Sequence, residues 1–485
     1  MLSRRELVDL VLGLVVRVGD LEVENQRLSA ELAALKAEVT KNSGNSSKPP
    51  SRDPVAERAR QASERRERRA KAAGGKRRRP GKQPGAPGTT LQMTDHPDEI
   101  VTHSPDHCGG CGTGLGEAEV TSTEARQVTD LPKVRPTVTE HRAETRRCAC
   151  CGAETTAEFP DEARSPVCYG PGVRAVVCYL LCRQHIPIQR CAEAMRDLFG
   201  TDISTGAIDA IYAEASRRLG GFIAGLVALL RSLPVLHADE TTDRIGTTNC
   251  WMHVISTATY TLIHASATRG FQAVRDAGVL IGYRGVVVHD RLALYWKLKS
   301  ARHGVCAAHL LRDLASVAAI PTQAAWARDL AGLLVEINNA CGDARARGLK
   351  ALSPRLRSSF TARYDTIVAE ALAANPDPGP ETKRSRLERQ SHNLAVAFST
   401  HKRPILTYMH NLGVSMSNNQ AERDLRPVKL HRKISSCFKS QAGADRFARV
   451  RSYLSTTQKN DVPALEALTR LFNGDPWMPP RPQAA

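Results

Sequence analysis

Three carboxylates stand out by their surroundings: Asp239 in LHADET, Asp290 in VVVHD and Glu422 in SNNQAERDLRP. The first two close short apolar runs that read as buried strands, and the third opens a helical stretch. Carboxylate oxygens are hard donors suited to Mg²⁺ or Mn²⁺. Two such ions a few ångströms apart clamp the attacking and leaving oxygens of an in-line phosphoryl displacement. The chemistry expected of the trio is attack on a DNA phosphodiester. Asp243 or Glu240 is an alternative to Asp239, because Asp at a strand end also serves turns.

For these carboxylates to meet, the elements carrying them must be neighbours. The segments PVLHADET, CWMHVIST and TYTLIHAS, a helix around FQAVRDAGVLIG, then GVVVHD and HGVCAAH predict the order β-β-β-α-β-α-β. That order is an RNase H-like α/β core, in which the first and fourth strands are adjacent and bring Asp239 to Asp290. Ser417 and Gln420 form a capping box for a helix with Asn419, Glu422 and Arg423 on one face, which Pro427 ends or kinks near Arg426. Asn and Arg beside the glutamate suit phosphate contacts and orientation of the carboxylate. About 130 residues separate Asp290 from Glu422, more than a minimal core needs. The stretch 322–374 therefore reads as a helical insertion, closed by NPDPGP.

A second constellation is Cys108-Gly-Gly-Cys111-Gly and Cys148-Ala-Cys150-Cys151-Gly. Two Cys-x-x-Cys knuckles, each followed by Gly for the tight turn, match a tetrahedral zinc site of Cys108, Cys111, Cys148 and Cys151. Cys150 is a fifth thiol, and the fourth ligand stays open between it and Cys151. A closed four-thiolate site is structural rather than catalytic. Between the knuckles, KVRPTVTEHRAETRR alternates as a strand does.

The remaining signals concern nucleic acid and assembly. The chain carries a net charge of +18, which favours polyanions. Thirteen basic and four acidic residues between positions 52 and 82 place half of that excess in a basic, flexible linker that includes Lys76, Arg77, Arg78 and Arg79. PIQRCAEAMRDLFG, TDIS and TGAIDAIYAEASRRL read as helix, turn, helix. Ser204 caps the second helix, and Thr205 and Asp209 are placed to approach bases. Leu7, Leu14, Leu21, Leu28 and Leu35 form a heptad with Val11, Val18, Asn25, Leu32 and Val39 between them, the pattern of a parallel two-stranded coiled coil.

The expected organisation is multidomain α+β. It comprises a coiled coil at 1–40, a basic linker at 41–90, a zinc-binding module at 91–163 and a helix-turn-helix-like region at 164–230. The RNase H-like core with its insertion follows at 231–460, and a tail at 461–485. Thirteen cysteines, mostly single and in apolar segments, speak against a disulfide framework. No apolar stretch reaches the roughly 18 residues that span a bilayer, and the first residues lack a cleavage-site pattern, so the expected setting is intracellular.

Several blocks carry a family resemblance: NSSKPPS, RRPGKQPGAPGTTL, both cysteine knuckles, HADET, VVVHD, CAAHLLRDL, and SNNQAERDLRPVKLHRKISSCFKSQAGADRFARVRSYLSTTQK. In these the chain resembles the transposases of the insertion-sequence-66 family over nearly its whole length. The resemblance implies a DDE-type DNA transposase with Asp239, Asp290 and Glu422 as the Mg²⁺ or Mn²⁺ triad. It also implies a zinc segment that helps recognise the element's ends. Cys306 and His309 match a Cys-x-x-His pair that accompanies such cores, read here as structural support. The implied partners are double-stranded DNA, a second copy through the coiled coil and accessory proteins of the same element, in a bacterial cytoplasm at the nucleoid. A nuclease that cuts without joining, or a non-catalytic DNA-binding regulator derived from a transposase, would share many of these features.

Overall fold

The computed structural model describes residues 53–72, 91–160, 163, 165–377 and 386–480, together with 17, 18, 21, 24 and 32. Most of the heptad segment, and Lys76, Arg77, Arg78 and Arg79, lie outside the described residues. The heptad positions Val18, Leu21 and Leu32 are helical and more than half exposed. Within the segment read as a flexible linker, Val55–Ala72 is a helix. Its Ala, Arg, Glu and Gln are strong helix formers, and Glu57 and Glu64 pair with Arg60 one turn away.

The cysteine-bearing segment contains one hairpin, β1 (Thr145–Arg147) with β2 (Glu154–Thr156), in which Arg147 faces Glu154. The strand expected over 133–147 is realised only in its last three residues. A strand needs a pairing partner, and β2 offers only three residues.

From residue 171 onward the chain is built around a five-stranded sheet of order β5-β4-β3-β6-β7. Its strands are β3 (Val235–Ile245), β4 (Thr248–Ser256), β5 (Thr261–Ser266), β6 (Val286–His289) and β7 (Arg302–Val305). β3, β4 and β5 are antiparallel neighbours, and β6 and β7 run parallel to β3. The tight β3–β4 turn passes through Gly246, whose φ of +56° suits glycine. The helix expected between β5 and β6 is present as Phe271–Asp276. The one expected between β6 and β7 is a single 3₁₀ turn, Tyr295–Lys297. Leu294, Tyr295 and Leu298 are buried there, so the short connection spends its length packing on the sheet rather than extending a helix.

Two hydrophobic cores meet at this sheet. The first contains residues from helices Pro171–Cys178, Ile188–Phe199, Thr205–Arg218 and Gly220–Ser232, from β3, β4 and β5, and from helices Asn419–Ser435, Gln441–Lys459 and Ala464–Phe472. The second joins Val286, Val288 and Val305 to helices Ala307–Val317, Ala324–Ala346, Pro354–Ala373 and Arg386–Thr400. β6 serves both: Val287 faces the first core, Val286 and Val288 the second. A strand buried on both faces reads as an unbroken apolar run, which is why VVVHD does not alternate.

Candidate active site

Strand register brings the two aspartates together. The parallel pairing of β3 with β6 ends at His237 opposite Val288. Two residues further along each strand stand Asp239 and Asp290, so the same register sets them opposite one another on one side of the sheet. Asp239 does not end its strand, as the sequence suggested. β3 runs on to Ile245, but paired only with β4. Asp290 lies just past the end of β6 and its Oδ1 accepts the Leu292 N–H at 3.0 Å, closing a turn. Arg291 beside it holds φ at +73°, a left-handed conformation unusual for a side-chain-bearing residue, and its Nη2 bonds Asp313 Oδ2 at 2.6 Å.

Glu422 lies in the first turn of the helix Asn419–Ser435. Ser417 does not cap this helix; Asn418 occupies the N-cap, and no side chain bonds the exposed backbone N–H groups there. Asn418 is fully buried and points at the sheet instead. Its Nδ2 donates to Ala238 O at 2.8 Å and its Oδ1 lies 3.1 Å from His237 Nδ1. With the amide NH₂ committed to a carbonyl, His237 must be the donor in that second bond. The Asn418 backbone N–H reaches Cys306 Sγ at 3.1 Å. Asn418 thereby ties the Glu422 helix to the residue before Asp239 and to the start of the helix Ala307–Val317. Pro427 neither ends nor stops this helix, which continues to Ser435.

The electrostatics agree with convergence. Burial, then the negative charges of Glu240, Asp290 and Glu422, push the Asp239 carboxyl up to about 8. A carboxylate raised by like charges is a site that gains from a bound cation. Around the trio, Arg312 Nη2 and His309 Nδ1 lie 4.0 and 3.9 Å from Glu422 Oε1. The oxygen donors present fit Mg²⁺ or Mn²⁺.

The alternatives to Asp239 are otherwise engaged. Glu240 is only 1% exposed in its side chain; Arg269 donates to its Oε1 at 2.7 Å and Tyr295 Oη to its Oε2 at 2.8 Å. Arg269 in turn lies over the Trp251 ring at 4.9 Å. Asp243 is fully buried on the part of β3 that faces β4, beyond the end of the β6 pairing. Of the other residues expected near the glutamate, Asn419, Arg423 and Arg426 are exposed, and Arg423 bonds Gln420 Oε1. Asn418 rather than Asn419 is the residue turned inward, and it bonds Ala238, His237 and Cys306. Asn418, Tyr295, Arg291 and Arg312 were not singled out from the sequence. Arg291 and Asp313, with Arg389, Gln390, Asn393 and Leu394, line a cavity of about 610 Å³ beside Asp290.

The knuckles have their own geometry. Cys108 N–H bonds Thr113 O at 2.8 Å and Gly112 N–H bonds Cys108 O at 2.9 Å; Cys148 N–H to Ala153 O and Gly152 N–H to Cys148 O repeat both distances. Gly112 and Gly152 hold φ at +76° and +73°. The repeat aligns Cys151 with Cys111 and leaves Cys150 inside the turn. Neighbouring polar groups, Thr113 before Cys108, hold the Cys111 thiol below its usual range; the Cys151 and Cys150 backbones do the same for Cys148. Thiols biased toward thiolate are what a zinc site needs. Neither the knuckle thiols nor Asp239, Asp290 and Glu422 close to within one ion's reach: among the described residues, the one group of three or more donors within 4.8 Å is Cys306, His309 and Glu422.

In the helix-turn-helix-like region, Ser204 Oγ accepts the Ala207 N–H at 3.1 Å, the expected cap. Thr205 is exposed. Asp209 pairs with Arg446 of the helix Gln441–Lys459 at 2.7 Å and keeps half of its side chain exposed.

Residues 166–446 match the family described as Transposase IS66 family, and residues 105–152 match the zinc-finger binding domain of transposase IS66. Residues 2–90 match a family of unknown function. An uncharacterized protein, y4hP, of Sinorhizobium fredii is 24% identical over 444 residues, covering 80% of this chain and 76% of that protein. No helix among the described residues is long and apolar enough to cross a membrane.

Proposed function

The chain belongs to the IS66 family of transposases, and from that premise we propose that it cuts and joins DNA at an RNase H-like DDE site formed by Asp239, Asp290 and Glu422. The observation that carries this reading is the β3–β6 register, which sets Asp239 opposite Asp290 while Asn418 draws the Glu422 helix onto the same strand. Mg²⁺ or Mn²⁺ held by these three carboxylates would neutralise phosphate charge and activate water, then a 3′ hydroxyl, as nucleophile. The protein's own groups do the positioning. Arg291 and Arg312 stand beside the carboxylates as phosphate contacts, and the fixed turn after Asp290 keeps that carboxylate aimed at its partner.

Binding of the element's ends falls to the zinc module, the basic segment with Lys76, Arg77, Arg78 and Arg79, and the helix beginning at Thr205. The heptad segment pairs two chains and hence two ends. The test is cleavage and joining of the inverted repeats that flank the gene, in Mg²⁺. Asp290→Asn and Glu422→Gln should each lower cleavage at least about a thousandfold while end binding in a gel-shift assay stays within about twofold. Cleavage that survives either change sinks the triad. Cleavage without joining by the unaltered protein makes it a nuclease instead.

A further inference from the structure

The Cys-x-x-His pair has a geometry that structural support does not use up. Cys306 is the N-cap of the helix Ala307–Val317 and His309 lies in its first turn, three residues on, so both side chains share one face. Glu422 approaches that face from the first turn of its own helix. Cys306 Sγ, a His309 ring nitrogen and a Glu422 carboxylate oxygen all lie within 4.8 Å of one another. His309 Nδ1 and Glu422 Oε1, 3.9 Å apart, are too far for a hydrogen bond, and both atoms are buried without any hydrogen-bond partner. Two unpartnered buried acceptors or donors facing a thiol are costly unless something else engages them.

We propose that Cys306, His309 and Glu422 form a second metal position, for a borderline ion of the Zn²⁺ type, that shares Glu422 with the carboxylate site. Sulfur, nitrogen and oxygen are the donors such an ion prefers, whereas Mg²⁺ takes oxygen alone. Donors about 2.0–2.3 Å from a tetrahedral zinc stand roughly 3.3–3.8 Å apart, so the triangle closes with an adjustment of about 1.5 Å at most. Burial holds the Cys306 thiol above its usual range; the Asn418 N–H on Sγ orients the sulfur and offsets part of that, and on ligation the proton leaves to solvent. Three protein donors leave the fourth position for water. An ion held there engages the carboxylate that Asp239 and Asp290 need, so Zn²⁺ acts as an inhibitor of the Mg²⁺-driven reaction. That consequence rests on the assignment of Glu422 above; the binding position does not.

The experiment counts Co²⁺, as a spectroscopic probe, on the full chain. The knuckle cysteines bind Co²⁺ as well, so the reading is the difference between proteins. Cys306→Ser and His309→Ala should each bind one equivalent fewer than the unaltered chain, and Cys306→Ser should also lose part of the thiolate-to-cobalt absorption. Asp239→Asn should keep the full thiolate-to-cobalt absorption of the unaltered chain and, if the triad is right, fail to cleave. In cleavage assays scaled to each protein's own rate in Mg²⁺ alone, half-inhibiting Zn²⁺ should rise at least tenfold in His309→Ala. Equal Co²⁺ counts in all these proteins, with circular dichroism showing them folded, overturn the proposal. Should Cys306→Ser misfold, the His309→Ala count decides. Asp239→Asn that still cleaves overturns the triad and leaves the Co²⁺ count to stand by itself.

Discussion

Each cysteine knuckle closes within six residues, from Cys108 to Thr113 and from Cys148 to Ala153, and nearly every residue around it is exposed. The carboxylate site is the reverse. Asn418 reaches Ala238 across 180 positions and Cys306 across 112, and the elements it joins border two hydrophobic cores. Val120, Val128, Leu131 and Val138 of the knuckle segment are 77–92% exposed, so that segment has little apolar burial of its own to hold it. Its order depends on ligand chemistry, whereas the carboxylate site depends on packing and buried hydrogen bonds. The two regions should accordingly fail in different ways.

The strongest separation should come from Cys111→Ser. Bound zinc in modules of this kind contributes on the order of 10 kcal/mol to their folding, so loss of one thiolate should release the metal and expose residues 91–160 to limited proteolysis. The thermal unfolding of the sheet domain should move by less than about 2 °C. A large shift there would show that the knuckles brace the sheet, and the contrast would fall.

Asn418→Ala attacks the other region. It strands the Ala238 carbonyl and His237, and at about 1–3 kcal/mol for each unpaired buried group it should cost about 2–6 kcal/mol in denaturant unfolding. Zinc content should not change. Because the same side chain holds the Glu422 helix, cleavage should fall further than stability alone accounts for.

A smaller, graded effect is expected from pH. Asp239 sits at about 8 in the folded chain against an ordinary value of 3.8, so between those values the folded state holds a proton that the unfolded state has lost. The stability of the metal-free protein should therefore decline as pH rises from about 4 through 8. Asp239→Asn should flatten that decline, and Mg²⁺ should offset it. An unchanged slope in Asp239→Asn would assign the titration to another group. The least effect belongs to Asp209→Ala. Its pair with Arg446 is half exposed on the aspartate side, and its loss should change stability by less than about 1 kcal/mol. If end binding nonetheless drops tenfold, Asp209 reads DNA despite its ion pair.

The same contrast explains what the sequence made legible. A knuckle is written in five consecutive residues, so its ligand types and its glycine can be read directly. The approach of Asp239 to Asp290 was legible one level up, because strand order implies adjacency and the apolar runs mark the strands. The Glu422 helix was only half legible. Pro427 suggested an end, since an interior proline costs about 3 kcal/mol. The carbonyl it leaves without a donor belongs to Arg423, on the exposed side, and burial of Ala421, Leu425 and Val428 holds the helix together beyond it. Asn418 and Asn419 are adjacent and identical, and which one turns inward is a matter of helix phase set by packing. The bonds from Glu240 to Arg269 and Tyr295 join residues 29 and 55 positions away, and no local pattern announces them.

The reach of Asn418 also orders events during synthesis. The knuckles, the helix beginning at Thr205 and both aspartates leave the ribosome well before residue 418 exists, so the nascent chain carries its proposed DNA-reading parts while its third carboxylate is still missing. Glu422 joins the aspartates after the whole helical insertion has been made. A translation product cut short in that insertion would lack Glu422 and also the helices Asn419–Ser435, Gln441–Lys459 and Ala464–Phe472 that complete the first core, so it would lose the packing around Thr205–Arg218 along with the third carboxylate.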